Sequence, residues 1–423
     1  MKTIAFLLLI ACATAQADDL LQVWAQARAA DPLLRQAAAF NGAQEAASRE
    51  ARAALLPQWS LQSSEQRENG SGARVRTTTS SLSQPLVDLA ALREWDASRS
   101  QASAQSARLA AAEQAARSRV AEAYFGLLSA EAQLATARAN EEAFARQVSE
   151  ADTRFKAGLS AQVEADQSRA YRELARGNTL AAELNLADAR EALAQLTGVP
   201  ATALQPLRRA LDAQALPDDA EAWTARALQA NPELRALQLD VQASEQRISA
   251  ARAGHLPTLS MGVDTTQRRG DGVSAIDASR TPTLVGLRLT VPLFAGGAVA
   301  AAADRAGFQR DAAREQLEAG RRAVLREVRA QHLAVGQGAV QLRSAQVAVE
   351  AAERALEATR TGLTLGTRST TDLLLAIQTL AGAQNAQTQA RHRHVLALLA
   401  LHQAAGSLGD AELATVNALL ENR

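Results

Sequence analysis

Apolar and polar residues alternate with a period of two in two stretches of the chain, residues 57–87 and 257–293. In a strand, this period places successive side chains on opposite faces, and one apolar face with one polar face is typical of transmembrane barrels. The alternation therefore predicts strands in both stretches. It is weaker in the first, where Trp59 and Leu61 fit but the run 77–81 is polar throughout and shows no clear sides. The apolar positions of the second stretch are Leu259, Met261, Val263, Val285, Leu287, Leu289, Val291 and Leu293.

Each stretch has a glycine-containing centre, so each is predicted to form a β-hairpin. The chain then has four strands. Four strands are too few to close a barrel, and an open sheet edge in lipid leaves backbone groups without hydrogen bonds. If these strands cross a membrane, several chains must contribute to one barrel. The predicted hairpin tips are Asn69-Gly70-Ser71-Gly72 and Gly270-Asp271-Gly272.

Long proline-free segments follow the hairpins. No proline lies between Pro85 and Pro200 or after Pro292, and these segments are rich in residues that favour helices. A helix over residues 86–157 would be about 108 Å long, and a return helix over residues 159–197 about 58 Å. The second half predicts matching helices over 298–365 and 367–405, and shorter helices are predicted over 19–54 and 219–254.

The chain contains one structural plan twice. The Ala-Asp-Pro sequence at 30–32 returns as Ala-Asn-Pro at 230–232, and Gly158 is matched by Gly366. We therefore predict a duplicated unit of helix, β-hairpin and long helical hairpin. The predicted boundaries are a signal peptide 1–17, a first repeat 18–215 with its β-hairpin at 57–87 and its helical tip near 158, a second repeat 216–409 with its β-hairpin at 257–293 and its helical tip near 366, and a C-terminal tail 410–423.

The N-terminus is typical of a secretory signal peptide. Lys2 is followed by a short apolar run and by a small-x-small sequence at 15–17, which predicts cleavage after Ala17. The alternative is a lipoprotein signal, because residues 9–12 form a lipobox that ends at Cys12. Cleavage after Ala17 would remove the only cysteine and exclude disulfides, thiol nucleophiles and cysteine-based metal sites.

Composition and charge exclude several classes of function. Lys plus Arg and Asp plus Glu number 45 each, so no general surface for nucleic acid is expected. An inner-membrane transporter is excluded because no apolar stretch reaches about 20 residues. No nucleophile with a positioned base is found, so we expect no enzyme, no catalytic residue and no cofactor. We predict that His392, His394 and His402 are solvated helix residues and not metal ligands, because their spacing is unsuited to one site.

Five short motifs, in their order and spacing, carry a resemblance to a known family. They are ADPLLR at 30–35, RFKAGL at 154–159, GHLPTL at 254–259, VPLFAGG at 291–297 and LGTRSTTD at 365–372. Together with the export signal and the duplicated plan, they resemble the TolC-type outer-membrane channels of efflux and type I secretion. The resemblance extends from Leu20 to about Gly409.

This resemblance implies a fold and a function. The fold would be mainly α with a membrane β-barrel part, in which a homotrimer shares one twelve-stranded barrel that a long periplasmic α-helical barrel continues. The function would be that of a passive exit duct in the outer membrane, gated at its periplasmic tip, for a tripartite efflux pump or a type I secretion system. The implied partners are a periplasmic adaptor (membrane fusion) protein, an inner-membrane pump of the ABC or RND type, and outer-membrane lipid.

The resemblance also implies roles for charged residues at the helical tips. Asp372 would line the periplasmic aperture, where three copies focus cations. A second acidic ring is missing, because Leu375 stands at its position. Arg368 and Glu164 are hypothesised to form an ion pair that latches the tips closed. The alternatives are that Asp372 caps a helix N-terminus and that the other two charges are simply solvated.

Two glycines mark the helical tips. Gly158 and Gly366 are predicted to adopt a positive φ at helix-to-helix turns. By resemblance, the neighbouring Leu159 and Thr367 are candidate contacts for the adaptor, and a role in the turn alone is the alternative.

A second class of function stays open at this point: a periplasmic coiled-coil scaffold or adaptor without a pore, whose strands form a soluble β-domain. The apolar strand faces distinguish the two, because a soluble domain does not expose several large apolar side chains together.

Overall fold

The computed structural model describes residues 17–67, 73–200, 203–208, 219–271 and 273–421. No helix within these ranges is long and apolar enough to cross a membrane. The following predictions lie outside the described residues: the signal sequence up to residue 16 with Cys12, the first hairpin tip at 69–72, Gly272 of the second tip, and the repeat boundary at 215–216.

The described residues form ten helices and four strands, as expected for a mainly α chain with two β-hairpins. The two longest helices have 68 and 67 residues, and each is followed by a helix of 36 or 35 residues. The helices are α1 (Leu20–Ala30), α2 (Pro32–Ala53), α3 (Leu89–Lys156), α4 (Gln162–Thr197), α5 (Ala220–Ala230), α6 (Pro232–Ala253), α7 (Ala275–Ser279), α8 (Ala298–Thr364), α9 (Thr370–Ala404) and α10 (Asp410–Asn417). The strands are β1 (Gln58–Arg67), β2 (Arg74–Val87), β3 (Thr258–Arg269) and β4 (Thr283–Thr290).

The short helices predicted over 19–54 and 219–254 are each divided in two. The breaks fall at Asp31 and Asn231, whose ψ angles of 115° and 119° are not helical. Each of these residues precedes a proline, and proline pushes the residue before it out of the helical region. Two further short helices occur where none was predicted: α7 in the second β-hairpin and α10 in the C-terminal tail.

One compact unit consists of the described residues of Met1–Arg35, Ala111–Asn231 and Val324–Arg423. Its core centres on Tyr124 and Phe125, which are fully buried with their rings in edge contact. The Tyr124 hydroxyl donates to the carbonyl of Gln205 over 2.8 Å, so the polar end of this side chain keeps a partner. The most fully buried leucines of this core are Leu20, Leu127, Leu193, Leu399, Leu408, Leu413 and Leu420.

The other compact unit consists of the described residues of Gln36–Ala110 and Pro232–Ala323. It contains one antiparallel sheet in the order β1-β2-β3-β4. Its helices pack closely through small residues: a Cβ added at Gly320 would lie 2.5 Å from a methyl group of Leu237. Side-chain hydrogen bonds also link helices of this unit: the Ser100 hydroxyl of α3 donates to the Gln246 side-chain carbonyl of α6 over 2.8 Å.

The strand register separates the sheet into two chemically different faces. Residues paired across the sheet share a face, and successive residues of a strand alternate between faces. Within the described strands, every register-paired side chain on one face is polar or glycine except Val75, Pro85 and Leu284. The register also gives sides to the polar run 77–81, because Thr78 and Ser80 share the face of Trp59. The apolar residues of the opposite face are Trp59, Leu61, Leu82, Val87, Leu259, Met261, Val263, Val285, Leu287 and Leu289.

Candidate functional site

Both helical tips end in the same backbone turn. Gly158 and Gly366 each have a φ of 73°, in the left-handed region that favours glycine. The amide of Leu159 donates to the carbonyl of Arg154, and the amide of Thr367 to that of Gly362, both over 2.8 Å. Each glycine amide also donates to the carbonyl three residues earlier, which completes a Schellman motif. The turns therefore satisfy the last carbonyls of α3 and α8 and leave the Leu159 side chain 71% exposed.

A capping box orders the start of α9. The Ser369 hydroxyl accepts from the amide of Asp372 over 3.1 Å, and the Asp372 carboxylate accepts from the amide of Ser369 over 2.9 Å. The Ser369 amide that donates to this carboxylate, together with the neighbouring Ser369 hydroxyl, holds the pKa of Asp372 below its usual range, and the charge of Arg368 adds to the effect. The carboxylate is exposed and ionised at neutral pH. Asp372 thus completes the cap and also presents a negative charge at the tip.

The first turns of α4 and α9 are joined by side-chain hydrogen bonds. The Thr370 hydroxyl donates to the Glu164 carboxylate over 3.0 Å. One turn away from this contact, the Thr371 hydroxyl donates to the Gln167 side-chain carbonyl, also over 3.0 Å. Glu164 therefore has a partner in its own chain, and that partner is a threonine.

Arg368 lies beside the tip turn of α8 and makes no ion pair with Glu164 within the part of the chain that the structure describes. Its side-chain stem packs where Gly362 leaves room, since a Cβ at that glycine would lie 2.6 Å from Cγ of Arg368. The guanidinium group of Arg368 therefore lies at the tip, and it has no ion pair within the described residues.

A small apolar cluster supports the two tips from below. Leu374 is fully buried and Leu373 nearly so, whereas Leu375 is 56% exposed. Phe144 of α3 lies in the same cluster, with its ring 5.6 Å from that of Tyr171 in α4. The cluster ties both hairpins to a common base and so fixes the positions of the tip residues. It also contains Ala175, Leu356 and Ile377.

The prediction that the α9 histidines are solvated is wrong for His392 and His394, whereas His402 is half-buried. His392 and His394 are only 7% and 2% exposed, because α9 is packed on more sides than its sequence pattern indicates. Nδ1 of His392 lies 2.5 Å from the Ser129 hydroxyl, and burial together with the charge of Arg391 lowers its pKa to about 4. Burial also lowers the pKa of His394 and of His402. Among the described residues there is no group of three or more side chains that could hold a metal ion.

Two tip residues that matter here were missed in the sequence: Ser369 and Gly362. The first had a readable signal, because Ser369-Thr370-Thr371-Asp372 follows the capping-box pattern of a serine with an acidic residue three positions later. The second had none, since the contact of Gly362 with Arg368 depends on the path of the chain after the turn.

Comparison with known proteins identifies the class. The model of the family described as outer membrane efflux protein matches residues 23–199 and 223–407. The chain is similar to the outer membrane protein TolC of Vibrio cholerae serotype O1, with 31% identity over 415 residues that cover 96% of this chain and 94% of the relative. It is also similar to the alkaline protease secretion protein AprF of Pseudomonas aeruginosa, with 29% identity over 344 residues, 81% of this chain and 72% of the relative.

A solved structure agrees in fold. The outer membrane channel CmeC of Campylobacter jejuni matches with a TM-score of 0.82 at 19% identity, over 95% of this chain and 90% of that one. The chain therefore belongs to the outer membrane efflux protein family. It is a TolC-type channel protein of the outer membrane, with its helical part on the periplasmic side. The relatives are named as outer-membrane, secretion and channel proteins, not as enzymes.

Proposed function

We propose that three copies of this chain form one channel-tunnel, the passive exit duct of a tripartite efflux pump or a type I secretion system. One observation carries the proposal: the sheet has an apolar and a polar face, and the outer edges of β1 and β4 have no strand partner within the described residues. In lipid, such edges must be closed by hydrogen bonds. Pairing β4 of one copy with β1 of the next closes twelve strands around a polar lumen.

The exposed apolar side chains support this proposal over a soluble scaffold. Val285, Leu287 and Leu289 are 65%, 69% and 65% exposed on one face of β4. Trp59 is 79% exposed on the same face of the sheet. A soluble β-domain would have to cover these side chains, whereas the hydrocarbon of a membrane covers them without further protein.

The partners follow from the position of the helical tips. A duct without an energy source of its own needs an inner-membrane pump, of the ABC or RND type, and a periplasmic adaptor that bridges to it. Leu159 and Leu365 are 71% and 72% exposed beside the two tip glycines, and they offer the adaptor an apolar surface. Thr367 lies in the second of these turns. The proposed role involves no catalysis and no cofactor.

The tips form the gate in this proposal. Three copies of Asp372 surround the aperture and attract cations, and the exposed Leu375 leaves this ring without a second acidic layer. Within one chain, Glu164 bonds to Thr370, and Arg368 does not reach it. We therefore assign the latch to neighbouring copies, with Arg368 of one chain pairing with Glu164 of the next.

Single-channel recording in planar lipid bilayers tests the duct and its gate together. The purified protein should form one class of pore with a small conductance in the closed state. Replacing Arg368 by Ser removes the latch and should raise this conductance several-fold, whereas Arg368→Lys should keep it low. Glu164→Gln should act in the same direction as Arg368→Ser, and the two together should add little.

Two results would count against the proposal. Unchanged conductance of the Arg368→Ser variant would contradict the proposed latch but not the proposed duct. A protein that is recovered from the soluble periplasmic fraction, and that chemical cross-linking shows to be a monomer, would eliminate the duct itself.

A further inference from the structure

Four arginines lie together near the hairpin end of the sheet. Arg67 and Arg74 are register partners across β1 and β2, and Arg76 and Arg269 are register partners across β2 and β3. All four are exposed. Three of them line a depression of about 530 Å³, together with Ser63, Glu65, Thr78, Gln267 and Gly270. We call Arg67, Arg74, Arg76 and Arg269 the rim arginines.

The rim arginines lie on the apolar face of the sheet, not on the polar one. Arg269 follows Leu259, Met261 and Val263 at even spacing on β3, so all four residues share a face. The sequence neighbour Arg268 therefore lies on the opposite face. In the proposed barrel, the rim arginines point outward to the membrane.

Their height matches the layer of lipid headgroups. Leu61 is the last apolar side chain of this face on β1, and Glu65, the register partner of Arg76, lies four residues further along. Four residues correspond to about 13 Å along a strand, or about 10 Å along the membrane normal for a strand tilted by ~40°. The helices α2, α3, α6 and α8 join the opposite strand ends, and only the five-residue α7 lies at the hairpin end, so the rim faces away from the periplasm. Headgroups extend several ångströms beyond the hydrocarbon.

The charges of this cluster are not balanced within the described chain. Glu65 forms an ion pair with Arg76 over 2.8 Å, and Asp271 lies nearby at the second tip. Against these two carboxylates stand four arginines. Like charges directly opposite on neighbouring strands destabilise a sheet, and here two such pairs lie side by side. An anion between them removes the repulsion.

We propose that the rim arginines bind the phosphate groups of an outer-leaflet lipid. Guanidinium groups bind phosphate oxygens in a bidentate manner, and clusters of basic residues at a membrane surface attract anionic headgroups. The continuity of the cluster with the apolar face selects a lipid, because only a ligand with acyl chains occupies both. This inference rests on the proposed function, which places the apolar face in the outer membrane.

Native mass spectrometry tests the inference on the purified, delipidated trimer, with diphosphoryl lipid A as the probe. Arg74→Gln/Arg269→Gln removes two rim charges that have no ion pair within the described residues. We expect its affinity for the lipid to fall about 25-fold, near 5-fold for each arginine. The matched control Arg268→Gln/Arg288→Gln removes two charges from the opposite face of the sheet and should bind like the unchanged protein.

Two further variants keep the test independent of folding defects. Arg74→Lys/Arg269→Lys keeps the charges but loses the bidentate geometry, so its affinity should fall by less than about 5-fold. Glu65→Gln frees Arg76 from its ion pair and should tighten lipid binding by about 5-fold. A gain of affinity of this kind does not arise from misfolding.

Several results would overturn the inference. One is an equal loss of lipid affinity in the opposite-face control Arg268→Gln/Arg288→Gln, and another is equal binding of a dephosphorylated lipid A. A third is displacement of the lipid by millimolar inorganic phosphate, which would indicate a site for free phosphate. Bilayer conductance separates this inference from the proposed function. Normal pores with unchanged lipid affinity in the Arg74→Gln/Arg269→Gln variant would contradict the lipid site alone, and a protein that forms no pores would contradict the duct.

Discussion

Replacing His392 by Phe should remove a large part of the pH dependence of folding stability. His392 of α9 is buried against Phe125 of α3. Burial and the charge of Arg391 lower the pKa of His392 from about 6.5 to about 4. The Ser129 hydroxyl donates to the carbonyl of Phe125 over 2.7 Å, so it accepts from Nδ1–H of the neutral imidazole. A phenyl ring at position 392 keeps the packing and cannot take up a proton.

The direction and the size of the effect follow from the two pKa values. Above pH 6.5, the imidazole is neutral in both the folded and the unfolded chain, and it adds no pH dependence. Between pH 6.5 and pH 4, the unfolded chain binds a proton that the folded chain excludes, so stability falls as the pH falls. The loss reaches about 3 kcal/mol, the free energy of about 2.5 pKa units, and levels off below pH 4.

The assay is urea unfolding of the purified protein in detergent, followed by far-UV circular dichroism between pH 7.5 and pH 4.5. The difference in unfolding free energy between the unchanged protein and His392→Phe should shift by about 2 kcal/mol over this range in favour of the variant. The control Ser129→Ala removes the hydrogen bond but keeps the titrating ring, so it should retain the pH dependence. Parallel curves for the unchanged protein and His392→Phe would refute the reasoning.

Three further substitutions have expected outcomes. Gly406→Ala should greatly reduce the amount of folded protein in membrane fractions, since φ is +76° and the new Cβ would lie 2.5 Å from Cα of Asn231. Gly158→Ala meets no neighbour within 4 Å, so only the strain of its positive φ remains, and chemical denaturation should show a loss of about 1 kcal/mol. Tyr124→Phe leaves the carbonyl of Gln205 without its hydroxyl donor and should lower the unfolding free energy by about 1–2 kcal/mol in the same measurement, with unchanged pore conductance.

The helical plan was readable from the sequence because it depends on local signals. Proline and glycine set the ends of the long helices, and α3 and α4 begin and end within three residues of the predicted limits. Pro32 and Pro232 also carry a signal for the breaks after α1 and α5, although the helix-favouring composition of residues 19–54 and 219–254 predicts helices across them. The break depends on the backbone of the preceding residue, which a count of apolar positions does not register.

The faces of the sheet and the contacts at the tips could not be predicted from the sequence, because they depend on residues that are distant along the chain. The faces of residues 77–81 became definable only through pairing with β1 and β3, because a polar run has no hydrophobic pattern of its own. The burial of His392 depends on α3, which lies far away in the sequence. At the tips, the hydrogen bond from Thr370 to Glu164 joins residues 206 positions apart.

The unpartnered edges of β1 and β4 have a genetic consequence. If three copies close one barrel, a cell that makes equal amounts of an intact chain and a chain damaged at either edge assembles only about one eighth of its channels from intact copies alone. Such an allele would be dominant over the normal gene. The fraction of channel activity that remains would show how many damaged β4–β1 pairings one pore tolerates.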